Sequence, residues 1–181
     1  WIKMKEMFST PNQITFIRIL LIPVFVAFLL LDMPYRDYIA AFIFIVLSAS
    51  DALDGYIARK KKLVTGIGKI IDPIADKLLI SAALIFLIGR IELWMAAVIM
   101  VREIAITAAR LVILPKKVIA ASILGKVKTV SQIVAIVAVI LNLPYNYWLM
   151  LAAVIITVVS GFDYLIKIGR IMGESVINIP N

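Results

Sequence analysis

Asp51, Asp54, Asp72 and Asp76 hold most of the chemistry that this sequence can offer. The chain has no His and no Cys, so acid–base or metal chemistry falls to carboxylates, Lys, Arg, Tyr and hydroxyls. Asp51 and Asp54 are three apart, which puts both on one face of a helix. Gly55 and Ala58 continue that face with small residues and leave room for a bulky ligand. Asp72 and Asp76 are four apart and again share a face. Asp72-Pro73 reads as an N-cap with proline in the first turn, which predicts a helix start near Asp72. Four clustered carboxylates repel one another, so either some are protonated or cations neutralise them. Two divalent ions would balance the charge, and an oxygen-only donor set suits Mg2+ or Mn2+, with Ca2+ a third candidate. A pair of such ions serves phosphoryl transfer. The same carboxylates would also serve a proton or cation path through a transporter, and spacing alone leaves both readings open.

The elements that must carry these residues are apolar. At 64% hydrophobic residues the chain exceeds the share usual for soluble domains, and few charges interrupt its long apolar runs. The predicted fold is an all-α integral membrane protein with six transmembrane helices in a single domain, 1–181. The spans are Ile14–Leu31, Tyr38–Arg59, Asp72–Ile88, Leu93–Leu114, Lys126–Leu143 and Tyr147–Ile168. Trp1–Ser9 mixes apolar residues with Lys3, Lys5 and Glu6, and reads either as a short helix on the membrane surface or as a frayed terminus. Thirteen basic residues fall on one side of these spans and two, Arg36 and Arg90, on the other. That bias puts both termini in the cytoplasm. The net charge of +8 then reads as loops facing anionic lipid, with no nucleic acid as a partner.

Several ionisable residues remain inside the spans: Arg18, Lys77, Arg102, Arg110, Glu103 and Asp163, besides the four aspartates. A charge at bilayer depth is costly unless paired or hydrated, so each is a functional candidate. Lys77 and Asp163 read equally well as members of ion pairs. Glu103 can pair with Arg102 or, seven residues on and on the same face, with Arg110.

The stretch Asp51-x2-Asp54-Gly55-x2-Ala58-Arg59-x8-Gly68-x3-Asp72-x3-Asp76 resembles the signature of the CDP-alcohol phosphotransferase family at all eight of its positions. The resemblance implies that Asp51, Asp54, Asp72 and Asp76 hold two divalent cations, Mg2+ or Mn2+, and that Asp76 is the catalytic base for the acceptor hydroxyl. It implies that Arg59 grips the donor's diphosphate, while Gly55, Ala58 and Gly68 let the nucleotide approach. Those roles agree with the fork that Arg presents to phosphate and with the space that Gly leaves.

Other segments resemble the bacterial members that make phosphatidylglycerophosphate. They are Pro11-Asn12-Gln13-Ile14-Thr15-x2-Arg18, Gly68-Lys69-x2-Asp72-Pro73-x-Ala75-Asp76-Lys77, Arg102-Glu103-x3-Thr107-x2-Arg110 and Leu124-Gly125-Lys126-x-Lys128-Thr129. The implied reaction joins CDP-diacylglycerol to sn-glycerol 3-phosphate and releases CMP at the cytoplasmic face of the cell membrane, in an enzyme that is often a homodimer. Asn12 and Thr15 would join the donor site. A phosphorylated acceptor needs further cations, for which Arg102, Arg110, Lys126, Lys128 and Arg18 are candidates. Inositol phosphate or phosphatidylglycerol are the alternative acceptors. The segment Leu114–Lys117 and the first loop on the side opposite the signature look short for this group.

Overall fold

The computed structural model describes the backbone of residues 10–61, 68–113 and 123–177, and the side chains of 17–50, 77–109 and 123–169. Among the described residues there are six helices: α1 Thr10–Leu30, α2 Arg36–Lys61, α3 Gly68–Phe86, α4 Leu93–Ile113, α5 Ile123–Ile140 and α6 Asn146–Ile177. No strand occurs among the described residues, so the all-helical expectation agrees with the structure. The expected surface helix at Trp1–Ser9 and the short segment Leu114–Lys117 lie outside the described residues.

Each expected span falls on one helix, but the ends differ. α3 begins at Gly68, not near Asp72. Pro73 therefore sits inside the helix, where it has no N–H to give to the Lys69 carbonyl. Pro73 lies beyond the first turn, so the Lys69 carbonyl loses its intrahelical donor. α6 runs well past the expected Ile168, to Ile177.

The helices close into a ring in the order α1, α2, α5, α6, α4, α3 and back to α1. α5 and α6 make the most extensive contact, and α1 packs along both α2 and α3. α3 also reaches across the ring to α2 and α5. This order is what gathers side chains from α3, α4, α5 and α6 at one point.

The main apolar core lies toward the end where the connections 31–35, 87–92 and 141–145 turn the chain back. Phe25 of α1 stacks at a tilt on Phe44 of α2, with ring centroids 5.5 Å apart. Leu84, Met95, Ile136, Ile140 and Met150 fill the space from the other helices, all essentially without solvent contact. Arg90 ties this end together. Its Nη1 donates to the Ile140 carbonyl at 2.9 Å, and its Nη2 to Asp37 Oδ1 at 3.1 Å. One side chain thus caps the end of α5 and pairs with the first turn of α2.

The outside of the bundle is apolar. Leu20, Phe42, Leu93, Val101, Ile104, Trp148 and Phe162 are each more than 60% exposed. So wide an apolar exterior is a contact surface for lipid, not for water. Among the described residues, the helical stretches Ile123–Ile140 and Asn146–Gly169 are long and apolar enough to cross a membrane.

Candidate active site

Beyond the apolar core, on the side toward the signature, the ring encloses charge. Glu103 of α4 is buried, and its carboxylate gathers four donors. Lys77 Nζ from α3 lies 2.7 Å from Oε2. Lys128 Nζ from α5 donates to Oε1 at 2.5 Å, and Arg102 Nη1 donates to the same oxygen at 3.1 Å. Gln132 Nε2, one turn beyond Lys128, is 3.4 Å away. The two carboxylate oxygens thus face different helices, Oε2 toward α3 and Oε1 toward α5 and the neighbouring Arg102.

A second set of bonds fastens this cluster to α6. Arg102 Nη2 donates to Ser160 Oγ at 2.8 Å, and Gln132 Nε2 donates to Thr157 Oγ1 at 2.9 Å. Ser160 Oγ in turn donates to the Thr157 carbonyl at 2.9 Å. Arg102 approaches α6 beside Gly161. A Cβ there would stand 3.4 Å from both Cγ and Nε of Arg102.

Among the described residues three cations meet this single carboxylate, and even with Lys77 engaged elsewhere as well, Arg102 and Lys128 outnumber it. Buried like charges are stable only when something neutralises them or spaces them, and here Glu103 does both in part. The surplus makes the centre receptive to an anion.

The signature residues follow directly on this cluster along the chain. Asp76 precedes Lys77 on α3. Asp51, Asp54, Gly55, Ala58 and Arg59 lie on α2, and Gly68 and Asp72 on α3. Both helices run unbroken through these positions, so the three- and four-residue spacings do put each aspartate pair on one face of its helix. The side chains of residues 51–76 lie outside the described residues, as do those of Asn12, Thr15 and Arg110. With α2 ending at Lys61, Asp51 stands about 15 Å along the axis from that end, somewhat deeper than a helix ending at Arg59 would place it.

Of the cations suggested for an acceptor phosphate, the structure brings Arg102 and Lys128 together. Lys126, also named as a candidate, is exposed. Two residues along a helix is a turn of about 200°, so burying Lys128 turns Lys126 outward. Arg18 is buried on α1. Asp163 forms a local pair with Lys167, 2.6 Å away and one helical turn on.

Glu103 and Lys77 belong to the centre; the expected pairing of Glu103 with Arg102 is present, and Lys77 pairs with the same carboxylate. Gln132, Thr157 and Ser160 went unnoticed. The signal was faint: Gln132 lies four residues after Lys128, and Ser160 three after Thr157, each pair a polar stripe on an apolar helix.

Fold and cluster together define a membrane-associated helical bundle with a buried, cation-rich polar centre next to paired aspartates. The sequence model of the CDP-alcohol phosphatidyltransferase family matches residues 8–159. The chain belongs to that family and is a transferase of its class. It is 43% identical to the CDP-diacylglycerol–glycerol-3-phosphate 3-phosphatidyltransferase of Bacillus subtilis (strain 168), with 89% of this chain and 95% of that protein aligned. It is 36% identical to the Escherichia coli (strain K12) protein of the same name, over 87% of this chain and 93% of that one. It is also 36% identical to a probable phosphatidylglycerophosphate synthase of Mycobacterium tuberculosis (strain ATCC 25618 / H37Rv), over 90% and 82% respectively.

Proposed function

We propose that this protein transfers the phosphatidyl group of CDP-diacylglycerol to sn-glycerol 3-phosphate, giving phosphatidylglycerophosphate and CMP. The six helices span the cell membrane, the active site opens to the cytoplasm, and the enzyme works as a homodimer. The observation that carries the acceptor is the buried cluster of Lys77, Arg102 and Lys128 on Glu103, next in sequence to Asp76. A phosphate monoester carries about −1.5 to −2 charges near neutrality, which complements the surplus of that cluster. A neutral alcohol would leave the surplus unanswered. The names of the relatives point to the same acceptor.

Asp51, Asp54, Asp72 and Asp76 suit two divalent cations. The donor set is oxygen only, each pair shares a helix face, and α2 and α3 are in contact. When bound, such ions supply charge neutralisation at the phosphoryl oxygens of the donor. The chain's own groups do the rest. Arg59 holds the donor's diphosphate with its planar fork. Gly55, Ala58 and Gly68 leave room for the nucleotide. Arg102 and Lys128, with Arg110 and Arg18 as further candidates, hold the acceptor's phosphate. Asn12 and Thr15 contact the donor.

Asp76 removes the proton from the acceptor hydroxyl, and the oxygen attacks the phosphorus bonded to the lipid glycerol. A new P–O bond forms to the acceptor. The bond from that phosphorus to the bridging oxygen breaks, and CMP leaves with that oxygen. The proton remains on Asp76 until solvent takes it.

The test is CMP release by the purified protein from CDP-diacylglycerol, with glycerol 3-phosphate, inositol phosphate, serine or phosphatidylglycerol as acceptor. Release with glycerol 3-phosphate that stops with EDTA and in Asp72→Asn supports the proposal. Full release in EDTA, or preference for another acceptor, overturns it.

A further inference from the structure

We propose that Glu103 is a positioning residue for the acceptor, acting through Lys128 and Arg102; this rests on the function proposed above. An ordinary buried ion pair would need one cation. Glu103 instead serves three, drawn from three helices, and presents a different oxygen to α3 than to α5. Without it, the ammonium of Lys128 and the guanidinium of Arg102 would face each other with no anion between them. Long cationic side chains in that situation move apart, toward solvent or other acceptors. The carboxylate therefore fixes where the two cations converge before any ligand arrives.

Its place in the fold makes this more than a fastening. Oε2 holds Lys77, the residue after Asp76, whereas Oε1 holds the cations suited to the acceptor's phosphate. One carboxylate thereby sets the spacing between the helix of the base and the phosphate end of the acceptor. That spacing decides whether the acceptor hydroxyl meets Asp76. The neighbouring contacts stiffen the arrangement: Gln132 and Arg102 are each bonded to α6 through Thr157 and Ser160.

Glu103→Gln keeps the shape and removes the charge. Steady-state CMP release measured against each substrate separates positioning from mere stability. The KM for glycerol 3-phosphate should rise about tenfold to a hundredfold, the range for a misplaced orienting contact, while the KM for CDP-diacylglycerol stays nearly constant. Glu103→Asp keeps the charge on a stem one methylene shorter and should give an intermediate KM; it decides the matter if the Gln protein does not fold. The double variant Glu103→Gln/Lys128→Gln should lose clearly less than the product of the two single losses, because part of what Glu103 does runs through Lys128. An unchanged KM for glycerol 3-phosphate, or additive losses in the double variant, overturns the inference while the wild-type reaction stands. A wild-type protein that makes no CMP with glycerol 3-phosphate overturns the proposed acceptor and this inference with it.

Discussion

Arg90→Met should weaken the bundle without touching its chemistry. Arg90 lies at the end of the molecule away from the signature. It donates to the Ile140 carbonyl at 2.9 Å, pairs with Asp37 at 3.1 Å, and is about a third exposed, as is Asp37. A hydrogen bond from a charged donor contributes about 1.5–3 kcal/mol. The favourable field at the C-terminus of α5 adds about 0.3–1 kcal/mol, and a part-exposed pair with Asp37 about 0–1 kcal/mol. Water recovers part of this for the orphaned carbonyl, and Met retains the packing of the aliphatic stem. The net loss is about 2–3 kcal/mol, or about 5–10 °C in midpoint for a chain of this size. Thermal unfolding in mild detergent reads the first effect. CMP release reads the second, and both KM values should stay within about a factor of two, since distant sites act independently. An unchanged midpoint would refute the capping role of Arg90. A KM for glycerol 3-phosphate that moves together with the midpoint would refute the separation of scaffold from site.

Three further outcomes follow from the same geometry. Lys128→Gln should raise the KM for glycerol 3-phosphate about tenfold or more, whereas Lys126→Gln, altering an exposed side chain, should leave it near wild type; equal effects would mean that Lys126 reaches the site. Gly161→Val should push Arg102 off Ser160, since even a Cβ would touch the Arg102 side chain at 3.4 Å; reduced CMP release at low glycerol 3-phosphate is expected, with Gly161→Ala milder. The chain has no native Cys, so single cysteines report orientation directly. Asp32→Cys should react with an impermeant maleimide added outside intact cells, and Lys61→Cys only after permeabilisation; the reverse pattern would invert the proposed topology.

The helices were legible in the sequence because apolar residues dominate each of them, in α5 and α6 over stretches long enough to cross a membrane. Their ends were less so. The proline in Asp72-Pro73 suits a helix start, yet α3 reaches back to Gly68 and takes Pro73 into its second turn. The signature aspartates stood out because their spacing matches helix periodicity on both sides of a short connection. The polar centre was only half legible. Arg102 was visible as a costly charge and Glu103 as its partner, but that Lys77 and Lys128 share the same carboxylate was not. Whether Glu103 meets Arg110 on its own helix or Lys77 and Lys128 on others depends on the order of helices around the ring. Periodicity along one helix contains no such information.

That ring order also explains why one carboxylate can serve three cations. α4 touches α3 on one side and α6 on the other, and α3 crosses the interior to reach α5. A residue on the inner face of α4 therefore meets α3 and α5 at once, and Glu103 is such a residue. Moving the carboxylate one position on, to 104, would rotate it by about 100°, out of the interior and toward the face where Ile104 lies exposed. There it would find neither lysine and would carry the full cost of a charge in hydrocarbon. The arrangement is thus tightly determined: only an inward position at this depth lets a single anion restrain the three cations and still leave them a surplus for a phosphate.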